Sequence, residues 1–304
     1  MSILIPTFNS ERTLPLALEA MLYQTYQGDI EVLIVDGGST DRTLEIAEAW
    51  GAKILETNIR NIALARNILL ERASGDVLIF VDSDVILPPY FVELHVNEHQ
   101  RNPEIDILTN NIVTVTEAPR IEDLRKLPKP EKVYIKPVKK MAEFAQMASS
   151  LKRRVTAKVR YDTDFARAHE DGYFFHATLR SGLKIYKALN ITVFHYKPVK
   201  KLSFIDKVVC SYRNASFPLF LKKFGLWYPR ANPGHAIRFL GRFSMMLSLA
   251  LAPICYQALA ISVAYWCIYS IAKKRFDPLW LPCELATMLG EIRFLVRLLR
   301  RNFK

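Results

Sequence analysis

Two aspartates, Asp82 and Asp84, stand one serine apart in Phe80-Val81-Asp82-Ser83-Asp84. Carboxylates this close repel each other unless a cation or a hydrogen-bonding ligand sits between them. Hard divalent ions with oxygen ligands suit such a pair. Magnesium in particular is held by one or two carboxylates plus substrate phosphates. The chemistry this spacing points to is a metal–diphosphate site. The competing reading is an Asp-rich turn, because aspartate also bonds its own backbone.

The pair needs an element to hold it. Val77–Val81 is a continuous apolar run that reads as a buried parallel strand, and the two acids follow at its carboxyl end. In open α/β sheets ligands bind at that edge. The first 115 residues repeat the theme. Ile3–Ile5, Val32–Val35 and Lys53–Leu55 read as further strands. Thr13–Tyr23, Thr43–Trp50, Asn61–Ala73 and Pro89–His99 read as helices, and Ile105–Val115 as the start of another strand. Strand and helix taking turns predicts an α/β fold with a mostly parallel sheet covered on both faces.

Four polar clusters then fall at one edge of that sheet. They are Pro6-Thr7-Phe8-Asn9, Asp36-Gly37-Gly38-Ser39-Thr40-Asp41, Ala65-Arg66-Asn67 and Asp82-Ser83-Asp84. Gly37 and Gly38 permit a tight turn and close approach to a ligand. Ser39 or Thr40 is placed to cap the following helix. Asp36, at a strand tip, is expected to hydrogen-bond a base or ribose. Arg66 either meets a diphosphate or forms an ordinary helix ion pair.

Composition narrows the partners. Of 304 residues, 50% are hydrophobic, and 42 Lys+Arg against 30 Asp+Glu leave a formal charge of +12. That surplus suits nucleic acid, anionic lipid or phosphorylated substrates. No nucleic-acid motif is present, and the basic residues gather beside an apolar segment. No G-x-G-x-x-G follows a strand, which argues against a nicotinamide dehydrogenase. Cys210, Cys255, Cys267 and Cys283 form no C-x-x-C pair, so free thiols are expected rather than disulfides or zinc. The chain enters a strand at Ser2, so no cleavable signal peptide is expected.

Beyond residue 116 the character changes. Prolines 119, 128, 130 and 137 mark a long excursion, followed by an expected helix from Lys139 to about Lys152. Lys152-Arg153-Arg154 reads as a solvated face or as a binder of anions. Phe174–Ser181 reads as a helix stopped by Gly182, and Lys184–Tyr186 and Ile191–His195 as two strands. Ser203–Phe224 suits interfacial helices. Phe243–Ala272 carries no charged residue; as one helix it would reach about 45 Å, more than the ~30 Å hydrocarbon core. Basic flanks on both sides favour re-entry over a single span. Leu285, Leu289, Ile292, Val296 and Leu299 fall at helical spacing among Arg293, Arg297, Arg300 and Arg301, which predicts an amphipathic helix on an anionic surface. The expected division is residues 1–200 as the catalytic domain, split at 115/116, and 201–304 as a membrane-associated region containing 243–272.

The opening S-I-L-I-P-T-F-N, then E-V-L-I-V-D-G-G-S-T-D-R-T, A-L-A-R-N and G-D-V-L-I-F-V-D-S-D, together resemble the inverting glycosyltransferases of family 2, which have the GT-A fold. The resemblance covers residues 2–91 nearly without gaps. It implies a nucleoside-diphosphate-sugar donor and a divalent ion, Mg2+ or Mn2+. Pro6, Thr7 and Asp36 would hold the base and ribose, and Arg66 would lie near the base or diphosphate. Asp82 would face the ribose or sugar, and Asp84 would ligate the metal. Asn9, Gly38 and Ser83 complete the donor-binding candidates, and Asp82 is also a candidate metal ligand. Residues Asp162-Thr163-Asp164-Phe165, His169-Glu170-Asp171 and Leu179-Arg180-Ser181-Gly182 resemble, more loosely, the family's Glu-Asp motif. A carboxylate there is the family's general base, which implies Asp171, with Glu170 second. Physically, an acid at a helix start near the sugar can take the acceptor hydroxyl's proton. It can also merely complement the helix dipole. His195 sits where many relatives place a metal-binding histidine. Residues 172–176 depart from the family pattern, which bears on the acceptor more than on the donor.

The resulting expectation is a membrane-associated transferase, with its catalytic domain on the cytoplasmic side. It would move a sugar, most simply from a UDP-sugar, to a hydroxyl of a lipid-linked or glycolipid acceptor. The alternatives are a polyprenyl-phosphate hexose synthase, whose phosphate acceptor needs no base, and an inactive membrane scaffold that kept the fold.

Overall fold

A computed structural model describes residues 1–198 apart from 58, 145, 167 and 168, together with 223, 224, 287, 289 and 291. The chain divides into two units, Met1–Val199 and Lys200–Lys304, and nearly all described residues lie in the first. The interfacial segment apart from Lys223 and Phe224, the apolar stretch 243–272, nearly all of the basic terminal helix and the four cysteines lie outside the described residues. Among the described residues no helix is long and apolar enough to cross a membrane.

The centre is a sheet whose first four strands are parallel: β1 (Ser2–Thr7), β2 (Glu31–Asp36), β3 (Lys53–Glu56) and β4 (Val77–Val81). Their side chains sort by the two-residue period of a strand. Ile3, Ile5, Ile34, Ile79 and Val81 enter one core, with Leu14 and Leu18 of α1 (Leu14–Leu22), Ala47 of α2 (Thr43–Trp50) and Phe91 of α4 (Phe91–Arg101). Leu4, Leu33, Val35, Leu78 and Phe80 enter the other, with Leu69 of α3 (Ile62–Arg72) and Phe174 of α6 (Glu170–Arg180). Helices thus cover both faces, and β1 and β4 are almost wholly apolar because neither of their faces meets water, whereas the edge strand β3 has exposed ends.

Beyond β4 the sheet is mixed rather than mostly parallel. Its order is β3-β2-β1-β4-β8-β6-β9-β5, where β5 is Val85–Ile86, β6 Ile107–Val115, β8 Ala148–Lys152 and β9 Ile185–Tyr196; β7 (Ile135–Pro137) pairs with β9. A short helix, α5 (Ile121–Arg125), precedes β7.

Three expectations are corrected here. The segment expected as a helix from Lys139 to Lys152 is a single 3-10 turn, Met141–Glu143, followed by β8. Its Ala, Met, Gln and Lys content suits a helix, but β8 fills the slot between β4 and β6 and pairs antiparallel with both. Tertiary pairing overrides propensity there. The two expected strands after Gly182 are one strand, β9, with its register against β6 shifted between Thr109 and Asn111. Helix α6 begins at Glu170, four residues before Phe174, so both acids lie in its first turn.

Lys152, Arg153 and Arg154 are bonded within the chain, with only Arg154 exposed. Lys152 Nζ donates to the carbonyls of Asn102 and Pro103, Arg153 to those of Ala73 and Gly75, and Arg154 to Asp106 and the Pro103 carbonyl. Lys152 pairs with Val77 at the start of β4, so this staple sits at the sheet edge opposite Asp82.

Candidate active site

Strand order reverses direction at β1, with β2 on one side and β4 on the other. A cleft of about 320 Å³ opens at the carboxyl ends of these strands. This is the switch point at which ligands bind in open α/β sheets. Its lining combines Pro6, Thr7 and Phe8 from β1, Gly37 from β2, and Asp82, Ser83 and Asp84 after β4, with Arg60 and Asn61 ahead of α3.

The β2 turn is knotted by Asp36. Its Oδ2 accepts the Gly38 and Ser39 amides at 2.9 and 2.7 Å, and its Oδ1 accepts the Ser39 and Thr7 hydroxyls at 2.5 and 3.1 Å. Asp36 is fully buried and does not line the cleft. Its direct contact with a base or ribose, implied by the resemblance, would require giving up part of this set. Asn9 acts as a strap between the β1 and β2 turns: its backbone amide donates to Ser39 Oγ, and its Oδ1 accepts the Thr40 amide, both at 2.8 Å. Asn9 has φ 51°, a left-handed conformation that asparagine tolerates better than most residues. Gly38 has φ 85°, which glycine adopts freely. Neither Asn9 nor Gly38 lines the cleft. Ser39 and Thr40 are taken up by these bonds, so the turn before α2 is closed instead by Asp41, which accepts the Thr43 amide and hydroxyl. Ser83 bonds Ser10 at 2.7 Å and so ties the β4 turn to the β1 turn.

Arg66 occupies the centre of the second half of the site. Its Nη2 donates to Asp82 Oδ1 and its Nη1 to Glu170 Oε1, each at 2.9 Å. The side chain is 2% exposed, lies against the rings of Phe80 and Tyr161, and is absent from the cleft lining. Of its two expected roles, the structure shows the ion pair. Burial alone would disfavour its charge, but Asp82 and then Glu170 hold the guanidinium firmly protonated. Burial pushes the carboxyls of Asp82 and Glu170 upward, and Arg66 opposes that shift in both. Asp171 lies near enough for its charge to raise Asp82 further, so the acids of α6 and of the β4 turn share one electrostatic site. Asp171 is half-buried, is not bound by Arg66, and accepts its neighbour's amide from Gly172 at 2.7 Å.

The register of β5 on β9 sets Val85 opposite His195. It thereby brings His195 Nε2 to 3.0 Å from Asp84 Oδ2, and that carboxylate raises the imidazole pKa. The two proposed metal ligands, far apart in sequence, are therefore neighbours. Asp82, the third candidate, is drawn toward Arg66 instead. Among the described residues no group of three His, Cys, Asp or Glu side chains converges as a cage. A carboxylate oxygen beside an imidazole nitrogen still suits a cation whose remaining ligands are diphosphate oxygens and water.

Sequence reading missed four participants. Tyr161 stacks on Phe174 at 4.3 Å, walls off Arg66, and is held by Asn67, which bonds both its amide and its carbonyl. Phe8 and Arg60 form a cation–π pair at the cleft, 4.1 Å from guanidinium to ring centre. Asn67 stood in the quoted A-R-N; Tyr161 carried no signal, because its role depends on contacts nearly one hundred residues away in sequence.

Residues 2–156 match the family described as "Glycosyl transferase family 2". A relative in Bacillus subtilis, "Uncharacterized glycosyltransferase YfnE", is 35% identical over 109 residues, or 34% of this chain and 28% of that protein. Staphylococcus aureus poly(ribitol-phosphate) beta-N-acetylglucosaminyltransferase TarS is 38% identical over 90 residues, 27% of this chain and 16% of its own. The matched stretch thus spans under a third of each of these two relatives. The crystal structure of TarS 1-349 with UDP-GlcNAc superposes with TM-score 0.55 at 15% identity, covering 96% of this chain and 90% of that one. The mannosyltransferase PcManGT of Pyrobaculum calidifontis, with GDP-Man and Mn2+, gives 0.54 at 17% identity over 97% and 86%. These likenesses show a shared fold, the mixed α/β sheet of GT-A-like proteins. With its family match extending over half its length, this chain belongs to glycosyl transferase family 2.

Proposed function

We propose that this chain transfers a sugar from a nucleoside-diphosphate sugar, a UDP-sugar in the first instance, to an acceptor hydroxyl with inversion at the anomeric carbon. The observation that carries this reading is the bridge from Arg66 to both Asp82 and Glu170. It joins Glu170 of the α6 turn to Asp82 at the edge of the cleft, and among the described residues Asp171 is the acid of that turn without an ion pair. Asp171 is the general base. It takes the acceptor proton as the acceptor oxygen attacks the anomeric carbon and the bond to the diphosphate breaks. Glu170 acts through Arg66 as a strut. Thr7, Phe8, Gly37 and Ser83 shape the donor cleft, and Asp36, Asn9 and Gly38 keep its loops in place. Asp84 and His195 would hold Mg2+ or Mn2+, which would neutralise charge on the departing diphosphate. TarS and PcManGT, whose structures contain UDP-GlcNAc and GDP-Man with Mn2+, support the donor class. The uncharged stretch 243–272 and its basic flanks support a lipid-linked or glycolipid acceptor at the cytoplasmic membrane surface.

The test is release of free nucleoside diphosphate from a panel of nucleotide sugars, with Mn2+ or Mg2+ and membrane lipid extract as acceptor. Wild type should release it from one donor in a metal-dependent way. Asp171→Asn should bind UDP normally and lose transfer. Full activity in that variant would favour a phosphate acceptor, and no turnover with any donor would favour a scaffold.

A further inference from the structure

A nucleoside diphosphate entering this cleft brings negative charge to a wall that already carries Asp82 and Asp84. The arginine that sequence reading assigned to it, Arg66, is spent. It is 2% exposed, and both of its terminal nitrogens bond carboxylates. Among the described lining residues one cation remains, Arg60. Arg60 is exposed, forms no ion pair with a described residue, and rests its guanidinium 4.1 Å from the centre of the Phe8 ring. The backbone on either side of it is anchored although its side chain is open. The Thr57 amide donates to the Asp36 carbonyl at 2.9 Å, the Asn61 amide to the Ile59 carbonyl at 2.7 Å, and the Asn61 side chain caps α3 through the Leu64 amide. The arginine thus stands on a fixed post at the cleft mouth.

We propose that Arg60 is the diphosphate-binding arginine of this chain, parked on Phe8 in the free protein and transferred to the donor's phosphates on binding. This rests on the donor reading above and deepens it. An exposed cation–π contact is a weak seat. A guanidinium fork on phosphate oxygens is a stronger, charge-assisted pair, so the exchange runs toward the ligand. The move needs no displacement of the buried Arg66 bridge, and so leaves the geometry around Asp171 untouched. It also compensates charge that Asp82 and Asp84 alone would repel.

The experiment is calorimetric titration of the full chain with matched pairs, UDP and uridine, GDP and guanosine, ADP and adenosine, in Mn2+. For the diphosphate that binds wild type, Arg60→Ala should weaken affinity by about tenfold or more and leave the matching nucleoside within about twofold. Arg60→Lys should recover part of the loss, and Arg60→Ala should flatten the salt dependence of binding. Because Arg60 is exposed, its circular dichroism and melting should match wild type. Equal losses for diphosphate and nucleoside would overturn the proposal in favour of a base-stacking role. Unchanged diphosphate affinity would overturn it outright and leave the donor reading standing. A wild type that binds no diphosphate would defeat the donor reading and this proposal together.

Discussion

The turn after β2 and the junction of β4 with α6 both present carboxylates at one edge of the sheet, yet they hold them in opposite ways. Asp36 is satisfied by four hydrogen bonds, three of them from residues within three positions in sequence. Asp82 and Glu170 share a single arginine, 16 residues from one and 104 from the other. A loop that ties its own knot tolerates the loss of one thread. Two acids on one buried cation do not, because removing the cation strands buried Glu170 and leaves half-buried Asp82 without its partner. The first arrangement shapes a cleft, and the second gathers charge where the proposed proton transfer would take place.

The largest expected effect tests that contrast directly. Arg66→Met should destabilise the protein by about 3 kcal/mol, the low end of the cost of stranding a buried charge, since Glu170 is buried but water reaches Asp82. It should also abolish transfer, as read by urea denaturation and nucleotide release. The double change Arg66→Met with Glu170→Gln should recover part of the stability but none of the activity. Next, Asp171→Asn should lower turnover by about 10²–10⁴-fold, the usual worth of a positioned base, with stability and UDP affinity retained. Glu170→Gln should instead lower both stability and turnover. If the two exchange behaviours, the strut and the base have been assigned the wrong way round. In the β2 turn, Asp36→Ala should cost about 1–3 kcal/mol through the stranded Gly38 and Ser39 amides and weaken donor binding without altering the pH profile of turnover.

The most gradual effect, spread over a range of pH, concerns neither carboxylate region but the core beneath them. His95 and His99 both bond Ser150 at 2.8 Å and are buried. Burial lowers both pKa values, that of His99 to about 4. The unfolded chain takes up these protons near pH 6.5, and the folded chain resists. Their contribution is therefore complete above about pH 6.5 and is lost as pH falls toward 4, by about 3 kcal/mol for His99 alone. Urea midpoints at pH 7.5, 5.5 and 4.5 measure this, and His99→Asn should reduce the slope.

How much of this could be read from sequence divides along the same line. The strands β1 to β4, their helices and the clusters at their tips were legible because each is local: a short apolar run, a helical stretch from Asn61, a Gly-Gly turn. The pairing of Asp84 with His195 followed only from family resemblance; the two are 111 positions apart, and nothing between them encodes it locally. The strand β8 was hidden because its reason to be extended lies in β4 and β6. Arg66 was placed at the right site with an ion pair as one of its two roles, but its partners could not be named. Its spacing sets it on the inner face of α3, but only the fold brings Glu170 to it. Arg60 was missed because a lone exposed arginine before a helix carries no signal without the cleft it lines.

The most direct test of the account is the pH dependence of single-turnover transfer by wild type, Asp171→Asn and Glu170→Gln at saturating donor. With Asp171 as base, wild type and Glu170→Gln should share one acidic limb, and in Asp171→Asn that limb should vanish along with nearly all of the rate. An acidic limb and near-normal rate surviving in Asp171→Asn would contradict the proposed division of labour around Arg66.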